Sequence, residues 1–297
     1  MKRKPVFIGL IVVAILLVIF FVSIFTLTST TKGNFSFVTD KKIAVVNIEG
    51  TIKDSRTIID HLLMFKKDEQ IKAIVLRIDS PGGGIGPTQE IYEEIKKIRY
   101  KDKKRILASM GSVAASGGYY IACAAEKIVA NPGTITGSIG VIIQFANVEE
   151  LMRKIGFKSV LIKSGEFKDV MSPFKAMTNE ERNILQGVID SVHNQFIEAV
   201  VNGRKLKRED VIKIADGRIF SGEQAKELGL VDSLGTLQDT ISMAAEYTGI
   251  TGEPKVVYPP QKGFSLFDFL FRHLSNHFID LINNETHRFN YQFMPNR

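Results

Sequence analysis

The sequence has few residues that form cross-links or bind metals. Its 297 residues include no tryptophan and a single cysteine, Cys123. One cysteine excludes an intrachain disulfide and a cysteine metal cluster, and its apolar neighbours predict a buried, unreactive thiol. The five histidines leave the interval between His61 and His193 empty. A serine nucleophile in that interval would therefore have no histidine nearby in sequence to act as its base.

The chain also lacks a concentrated basic surface. Its formal net charge is +7, but three of the basic residues, Lys2, Arg3 and Lys4, precede an apolar run and the others are scattered. Nucleic-acid sites combine basic stripes with interleaved aromatic side chains. Nucleic acid is therefore not a predicted partner.

An uncharged run extends from Pro5 to Thr31, and residues 6–27 are almost wholly apolar. As a helix, these 22 residues would span about 33 Å, enough to cross a hydrocarbon core of about 30 Å. A cleaved signal peptide is the alternative, but its apolar region is shorter and ends in a small-x-small site. We expect a membrane anchor at residues 5–28 that contacts lipid. Because basic residues favour the cytoplasmic side, residues 1–4 would be cytoplasmic and the remainder extracytoplasmic.

The rest of the chain predicts an α/β domain. Residues 29–41 predict a tether, 42–263 the extracytoplasmic domain, and 264–297 an amphipathic tail that docks on protein or lies on a membrane surface. Apolar strand patterns alternate with helical ones, which favours a largely parallel sheet. The predicted strands are 42–48, 71–78, 106–110, 127–130 and 158–163, and the predicted helices are 55–66, 88–98, 119–125, 179–201 and 221–228.

One serine occupies a position that suits a nucleophile. Residues 111–120 read GSVAASGGYY and follow an apolar strand pattern. Ser116 would lie at the start of a helix, where backbone N–H groups are unpaired and the helix dipole is positive. Its small neighbours would let a substrate backbone approach closely.

Residues 79–84, DSPGGG, form a second glycine-rich turn between a strand and a helix. The turn lacks the Gly-Lys-Ser/Thr of a phosphate-binding loop and the spacing of a dinucleotide site, so no cofactor is predicted. Two interpretations remain open. The turn is either purely structural, or the N–H of Gly83 pairs with that of Gly117 to bind an oxyanion.

The base for such a serine is not obvious from the sequence. His193 falls in an amphipathic helix pattern that suits an ordinary surface or core histidine, and the later histidines lie in the tail. A lysine can serve if burial lowers its pKa from about 10.4 towards 7–8. The residues alone leave three candidates: Lys163, Lys168 and Lys175.

Four motifs, in order, resemble those of the signal peptide peptidase A family in its short bacterial form. They are DSPGG at 79–83, AASGGYY at 114–120, TGSIG at 136–140 and GEFKD at 165–169. The resemblance covers residues 43–235 and the N-terminal run. It implies a Clp-protease/crotonase-like body of repeated β-β-α units, preceded by one N-terminal transmembrane helix, with no metal or cofactor.

The resemblance also implies roles for individual residues. Ser116 matches the nucleophile, Lys168 the general base and Ser138 a serine that hydrogen-bonds the lysine. Gly83 and Gly117 match the oxyanion donors. Relatives of this kind form homo-oligomeric rings in which serine and lysine come from adjacent subunits, and they degrade signal peptides and other membrane-proximal peptides.

The sequence does not exclude two other functions. A crotonase-type acyl-CoA enzyme would use similar paired backbone donors, but it would not require Ser116 or Lys168. A non-enzymatic membrane scaffold would need only the ring.

Overall fold

The structure, a computed structural model, describes residues 18–19, 41–260 and 290–292. Nearly all of these residues belong to one compact unit that begins at Lys41. Its strands are β1 (Lys42–Glu49), β2 (Ile71–Ser80), β3 (Gly82–Gly84), β4 (Arg105–Ala115), β5 (Lys127–Ala130), β6 (Ile135–Gly137), β7 (Ile219–Ser221), β8 (Ser233–Leu234), β9 (Lys255–Val257) and β10 (Asn290–Gln292). Its helices are α1 (Arg56–Lys67), α2 (Ile85–Tyr100), α3 (Gly117–Ala122), α4 (Glu149–Lys154), α5 (Asn179–Arg204), α6 (Arg208–Ile214), α7 (Gly222–Glu227) and α8 (Leu237–Tyr247).

A largely parallel sheet forms the centre of the fold. Its main path runs β7–β6–β4–β2–β1–β9, and β5 joins β4 to β8. All pairings in this sheet are parallel except that of β6 with β7. Strand β4 pairs with β2 along one side, whereas β5 and then β6 occupy successive parts of its other side. The mixed α/β fold with a largely parallel sheet is therefore confirmed.

Both faces of the sheet are buried. In β1, Ile43 and Val45 point into a cluster with residues of α8, whereas Val46 and Ile48 point into the larger cluster on the opposite face, which α1 and α2 cover. Such two-sided burial explains why the strand patterns are continuous apolar runs rather than alternating ones. Since β2 and β4 are parallel, both end at the same edge of the sheet. The glycine turn after β2 and Ser116 after β4 therefore meet there.

One predicted strand is wrong. Residues 158–163 form no helix or strand, and Val160 and Ile162 are 88% and 95% exposed. The segment has β-branched residues, but within the described ranges no other strand pairs with it, and a lone strand leaves its backbone groups unbonded. The other nine predicted elements are present: the strand at 127–130 has the predicted ends, and the other eight have shifted ends. Ser221 caps α7 in a capping box with Gln224.

Two predictions fall largely outside the described residues. The anchor at 5–28 is described only at residues 18–19, and the tail from 264 only at β10. Within the part of the chain that the structure describes, we find no helix with the length and apolar character needed to span a bilayer. Cys123 is buried, and burial raises the pKa of its thiol to about 12. This agrees with the predicted buried, unreactive thiol.

An ion pair is buried at the end of α5. Arg204 Nη1 lies 2.7 Å from Asp232 Oδ2, and the arginine side chain is 6% exposed. Asp232 also accepts a hydrogen bond from Ile128 N at 2.8 Å. Burial tends to raise the pKa of Asp232, but the hydrogen bond and charge of Arg204 outweigh it, so the pKa is lowered.

Replacing Asp232 by Asn is expected to lower the free energy of unfolding by about 3–5 kcal/mol, because it leaves Arg204 buried without a counter-charge. Urea denaturation at pH 7 measures this change. Since the pKa of Asp232 is lowered on folding, the wild type should also lose part of its stability as the pH falls below about 4 and the folded state takes up this proton. In the matched control Asp216→Asn, the partner Arg218 is half-exposed and no measurable change is expected. Equal effects of the two variants would contradict this account.

Candidate active site

Ser116 lies in a strained conformation between β4 and α3. Its φ of 53° and ψ of −120° are unusual for a residue other than glycine, and its side chain is 1% exposed. Such a conformation costs about 1–3 kcal/mol and is held only where the surroundings enforce it. Here Ser116 N donates to Gly137 O at 2.8 Å, and Ser116 O accepts from Tyr120 N at 2.8 Å. The geometry is that of a sharp strand-to-helix turn that presents a nucleophile.

The glycine turn beside Ser116 is fixed by a buried serine. Ser80 Oγ donates to Gly50 O at 2.6 Å and accepts from Gly82 N at 3.1 Å. On one edge of β3, Ile52 N donates to Gly82 O at 2.9 Å and Gly84 N donates to Ile52 O at 2.8 Å. A Cβ at Gly83 would lie only 2.2 Å from Ile52 O, so no other residue fits there.

Gly83 and Gly117, the two oxyanion donors predicted from the sequence, lie next to each other. A Cβ built on Gly117 would lie 3.3 Å from Gly83 N and 2.8 Å from Thr88 Oγ1. The start of α3 and strand β3 are therefore in direct backbone contact. Among residues 41–260, the backbone hydrogen bonds of turns and loops include none donated by the Gly83 or Gly117 N–H. Two amides in this arrangement can bind one oxyanion between them.

Gly117→Ala is expected to lower kcat by about 10²–10³-fold, because the new methyl group would displace β3 from α3 and disrupt the paired donors. Peptide hydrolysis measures the loss. Gly86→Ala is the matched control: Gly86 lies in α2, a Cβ there would meet nothing within 4 Å, and activity should be unchanged. Full activity of Gly117→Ala would rule out this donor pair.

Ser138 lies next to Ser116. It follows β6, whose last residue, Gly137, pairs with Ala115 at the end of β4. Like Ser116, it has a left-handed backbone, with φ 50°, and its N donates to Arg218 O at 2.8 Å. The two serines thus emerge from the ends of neighbouring parallel strands, which places their backbones side by side.

Two of the three candidate lysines are held in ion pairs. Lys163 Nζ lies 2.7 Å from Asp169 Oδ1, and Lys175 Nζ lies 3.1 Å from Asp169 Oδ2. Lys175 also donates to Glu181, which belongs to the capping box of α5. The hydrogen bond that Lys175 donates to Glu181, and then the one that it donates to Asp169, raise the pKa of Lys175. Hydrogen bonds from Lys163 and Lys175 lower the pKa of Asp169. Because its charged form is stabilised, Lys175 makes a poor base.

Lys168 differs from these two lysines. Its side chain is exposed, and within the described residues its Nζ forms no ion pair. No hydrogen bond joins it to Ser116 in this chain. His193 does not replace it: its Nε2 is buried on α5 without a hydrogen-bond partner among the described residues. The described part of one chain therefore brings together Ser116, Ser138, Gly83 and Gly117, and Lys168 forms no hydrogen bond with this group.

Sequence reasoning missed several residues that build the site. Asp79 Oδ1 accepts from Val113 N at 3.0 Å and so ties the glycine turn to β4. Ser80 anchors the same turn, and its place two residues before Gly82 is a recognisable signal for a side chain that bonds the backbone two residues on. Ile52 supports β3 through its backbone N–H and C=O, and no sequence pattern predicts such a contact.

Comparisons with known proteins agree with this geometry. Residues 98–251 match the model of Peptidase family S49, and residues 30–134 match that of Clp protease. A Synechocystis protein named as a protease is 44% identical over 217 residues, 73% of this chain and 78% of that protein. A protein of Enterococcus faecium, named as signal peptide peptidase SppA, is 35% identical over 232 residues, 74% and 67% of the two chains. Protease 4 of Haemophilus influenzae is 36% identical over 214 residues, but this chain covers 34% of its length.

The fold and the matches together define a class of protein. It is a serine-type peptidase with a Clp-protease-like α/β body. More particularly, the chain belongs to peptidase family S49, whose model covers residues 98–251. The protease-named relatives agree with this assignment.

Proposed function

We propose that the protein is a membrane-anchored endopeptidase that uses a Ser116–Lys168 dyad to cleave signal peptides and other membrane-proximal peptides. One observation carries the proposal: Ser116 is buried in a strained turn next to the Gly83 and Gly117 backbones. The substrate class is supported by the relative named signal peptide peptidase SppA. The anchor is supported by the uncharged run from Pro5 to Thr31.

The chemistry is acyl transfer in two steps. Neutral Lys168 takes the proton of Ser116 Oγ as that oxygen attacks the scissile carbonyl carbon, and the N–H groups of Gly83 and Gly117 stabilise the oxyanion. Lys168 then donates its proton to the leaving amine, which departs and leaves an acyl-enzyme. A water molecule hydrolyses the ester with Lys168 again as base.

The choice of Lys168 follows from charge. Lys163 and Lys175 have carboxylate partners, whereas Lys168 forms no ion pair with the described residues. A base needs a neutral amine near pH 7, so the environment must disfavour the charged form by roughly 3–4 kcal/mol. Because Lys168 is exposed among the described residues, we assign that environment to a neighbouring subunit.

A second copy of this chain supplies it in our proposal. The segment that carries Lys168 exposes apolar side chains, including Phe157, Leu161 and Ile162 at 53%, 58% and 95%. Burial of such a patch against a neighbouring subunit would remove the lysine from water and bring it to Ser116 and Ser138. The arrangement is a homo-oligomeric ring in which each site combines two subunits.

An active-site probe tests the nucleophile and separates a peptidase from an acyl-CoA enzyme. The detergent-solubilised protein is treated with a fluorophosphonate, and the labelled peptide is mapped by mass spectrometry. We expect label on Ser116, none after Ser116→Ala, and full labelling of the control Ser112→Ala, whose serine is exposed on the same strand. Labelling of another residue, or none in the wild type, would refute the proposal.

A further inference from the structure

Thr88 carries a buried hydroxyl group near the start of α2. The residue is 0% exposed, and its Oγ1 has no hydrogen-bond partner among the described residues. Burial of an unbonded hydroxyl is unfavourable, so buried polar groups are nearly always bonded. The other buried threonines of the described chain each donate from Oγ1 to a backbone carbonyl: Thr134, Thr136 and Thr240. Thr88 is the exception among them.

The Thr88 hydroxyl borders a small space beside Gly117. A Cβ on Gly117 would lie 2.8 Å from Thr88 Oγ1 and 3.3 Å from Gly83 N. Because glycine has no side chain, this position stays open to the atoms around it. A hydroxyl from α2 and an amide from β3 therefore border the same space next to the start of α3.

That space adjoins the oxyanion position. Gly117 is the first residue of α3, and at a helical φ the N–H and Cα–Cβ bonds of a residue are nearly eclipsed. With standard bond lengths, an oxygen that accepts from the Gly117 N–H would lie about 3.5 Å from the Cβ position. Gly83 N and Thr88 Oγ1 both lie within 3.3 Å of that position. Two backbone amides and one hydroxyl are therefore placed around a single oxygen atom.

We propose that the Thr88 hydroxyl is a third hydrogen-bond donor to the oxyanion, besides the N–H groups of Gly83 and Gly117. The inference rests on the proposed function, because it assigns this space to the scissile carbonyl oxygen. In the bound substrate that oxygen has two lone pairs, which the two amides fill. When Ser116 Oγ bonds to the carbonyl carbon and gives its proton to Lys168, the π electrons of the carbonyl become a third lone pair. The hydroxyl donates to this pair, so it stabilises the transition state more than the bound substrate.

Thr88→Val tests the hydroxyl, because valine keeps the branched shape and replaces the hydroxyl by a methyl group. We expect kcat for peptide hydrolysis to fall about 10²-fold while KM stays within about twofold of the wild-type value. The melting temperature should rise, since the variant no longer buries an unbonded hydroxyl. Thr88→Ser keeps the hydroxyl but loses the methyl group that fixes χ1, and its kcat should stay within about tenfold of wild type.

The matched control is Thr240→Val in α8. Thr240 is equally buried, but its Oγ1 donates to Thr236 O at 2.9 Å. Loss of this bond should lower the melting temperature and leave kcat unchanged. Hydrolysis of a fluorogenic peptide and thermal melting of the full-length, detergent-solubilised protein measure both quantities for each variant.

A peptide aldehyde separates transition-state binding from packing. Ser116 Oγ adds to the aldehyde carbon, its proton passes to Lys168, and the aldehyde oxygen becomes an oxyanion. Its inhibition constant should rise about 10²-fold in Thr88→Val. An unchanged kcat and inhibition constant, or an equal loss of kcat in Thr88→Ser with lowered melting temperatures, would overturn the inference. Hydrolysis that remains dependent on Ser116 would then leave the proposed function intact, whereas hydrolysis by Ser116→Ala would refute the proposed function whatever Thr88→Val does.

Discussion

Ser116→Ala is expected to lower kcat/KM for peptide hydrolysis by at least about 10⁴-fold. The loss is large because the acyl-enzyme cannot form without Oγ, and only the oxyanion donors and substrate binding remain. Fold stability should be nearly unchanged, since the strained backbone at Ser116 is held by the hydrogen bond that its N–H donates to Gly137 O and by the one that its C=O accepts from Tyr120 N, rather than by the side chain. Hydrolysis of a fluorogenic peptide and thermal melting measure the two effects.

The control for this variant is Ser138→Ala, which removes the neighbouring hydroxyl from the end of β6. Because Ser138 is assigned to hold the lysine rather than to attack, its loss should cost less, about 10–10²-fold, a share typical of a group that assists proton transfer. Equal losses in the two variants would leave the nucleophile unassigned between them. Retention of activity by Ser116→Ala would remove the basis of the mechanism.

Lys168→Ala is expected to lower kcat/KM about 10³–10⁴-fold or more, a loss close to that of Ser116→Ala. The loss is large because the same lysine takes the proton from the serine hydroxyl and delivers it to the leaving amine. Lys168→Arg should be as inactive as Lys168→Ala, since a guanidinium cannot deprotonate near pH 7. The pair of variants separates the loss of a base from the loss of a positive charge. The measurement is the pH dependence of kcat/KM for peptide hydrolysis.

Lys163→Ala is the matched control for the base. Lys163 lies five residues away and is paired with Asp169, so its loss should disturb the loop and reduce activity several-fold without abolishing it. If Lys168→Ala kept most of its activity and Lys163→Ala lost it, the base assignment would be wrong.

The parts of the molecule that the sequence predicts are those governed by local pattern. The apolar run of β1 predicts a strand, and Ser221 with Gln224 predicts a helix start, because both depend on residues close in sequence. The junction of β4 and Ser116 is predicted for the same reason. The strand at 158–163 fails because strand formation needs a partner, and residue type alone does not supply one.

Other features of the site depend on contacts between distant residues. Ile52 supports Gly83 through backbone atoms, and β10 pairs with β3 across more than 200 residues of chain. Neither contact leaves a sequence pattern. The same limit applies to the lysine: the residues alone leave three candidates, and the structure separates them only by showing that Lys163 and Lys175 have carboxylate partners.

The central claim is that Ser116 of one subunit works with Lys168 of another, and co-assembly of two inactive variants tests it most directly. Ser116→Ala and Lys168→Ala chains with different affinity tags are co-expressed, and rings that carry both tags are isolated. If each site combines two chains, about one site in four regains both groups, and the mixed rings should recover about a quarter of wild-type peptide hydrolysis. Rings of Ser116→Ala with the double variant control for contamination. Mixed rings without activity, or hydrolysis by isolated wild-type monomers, would contradict the claim.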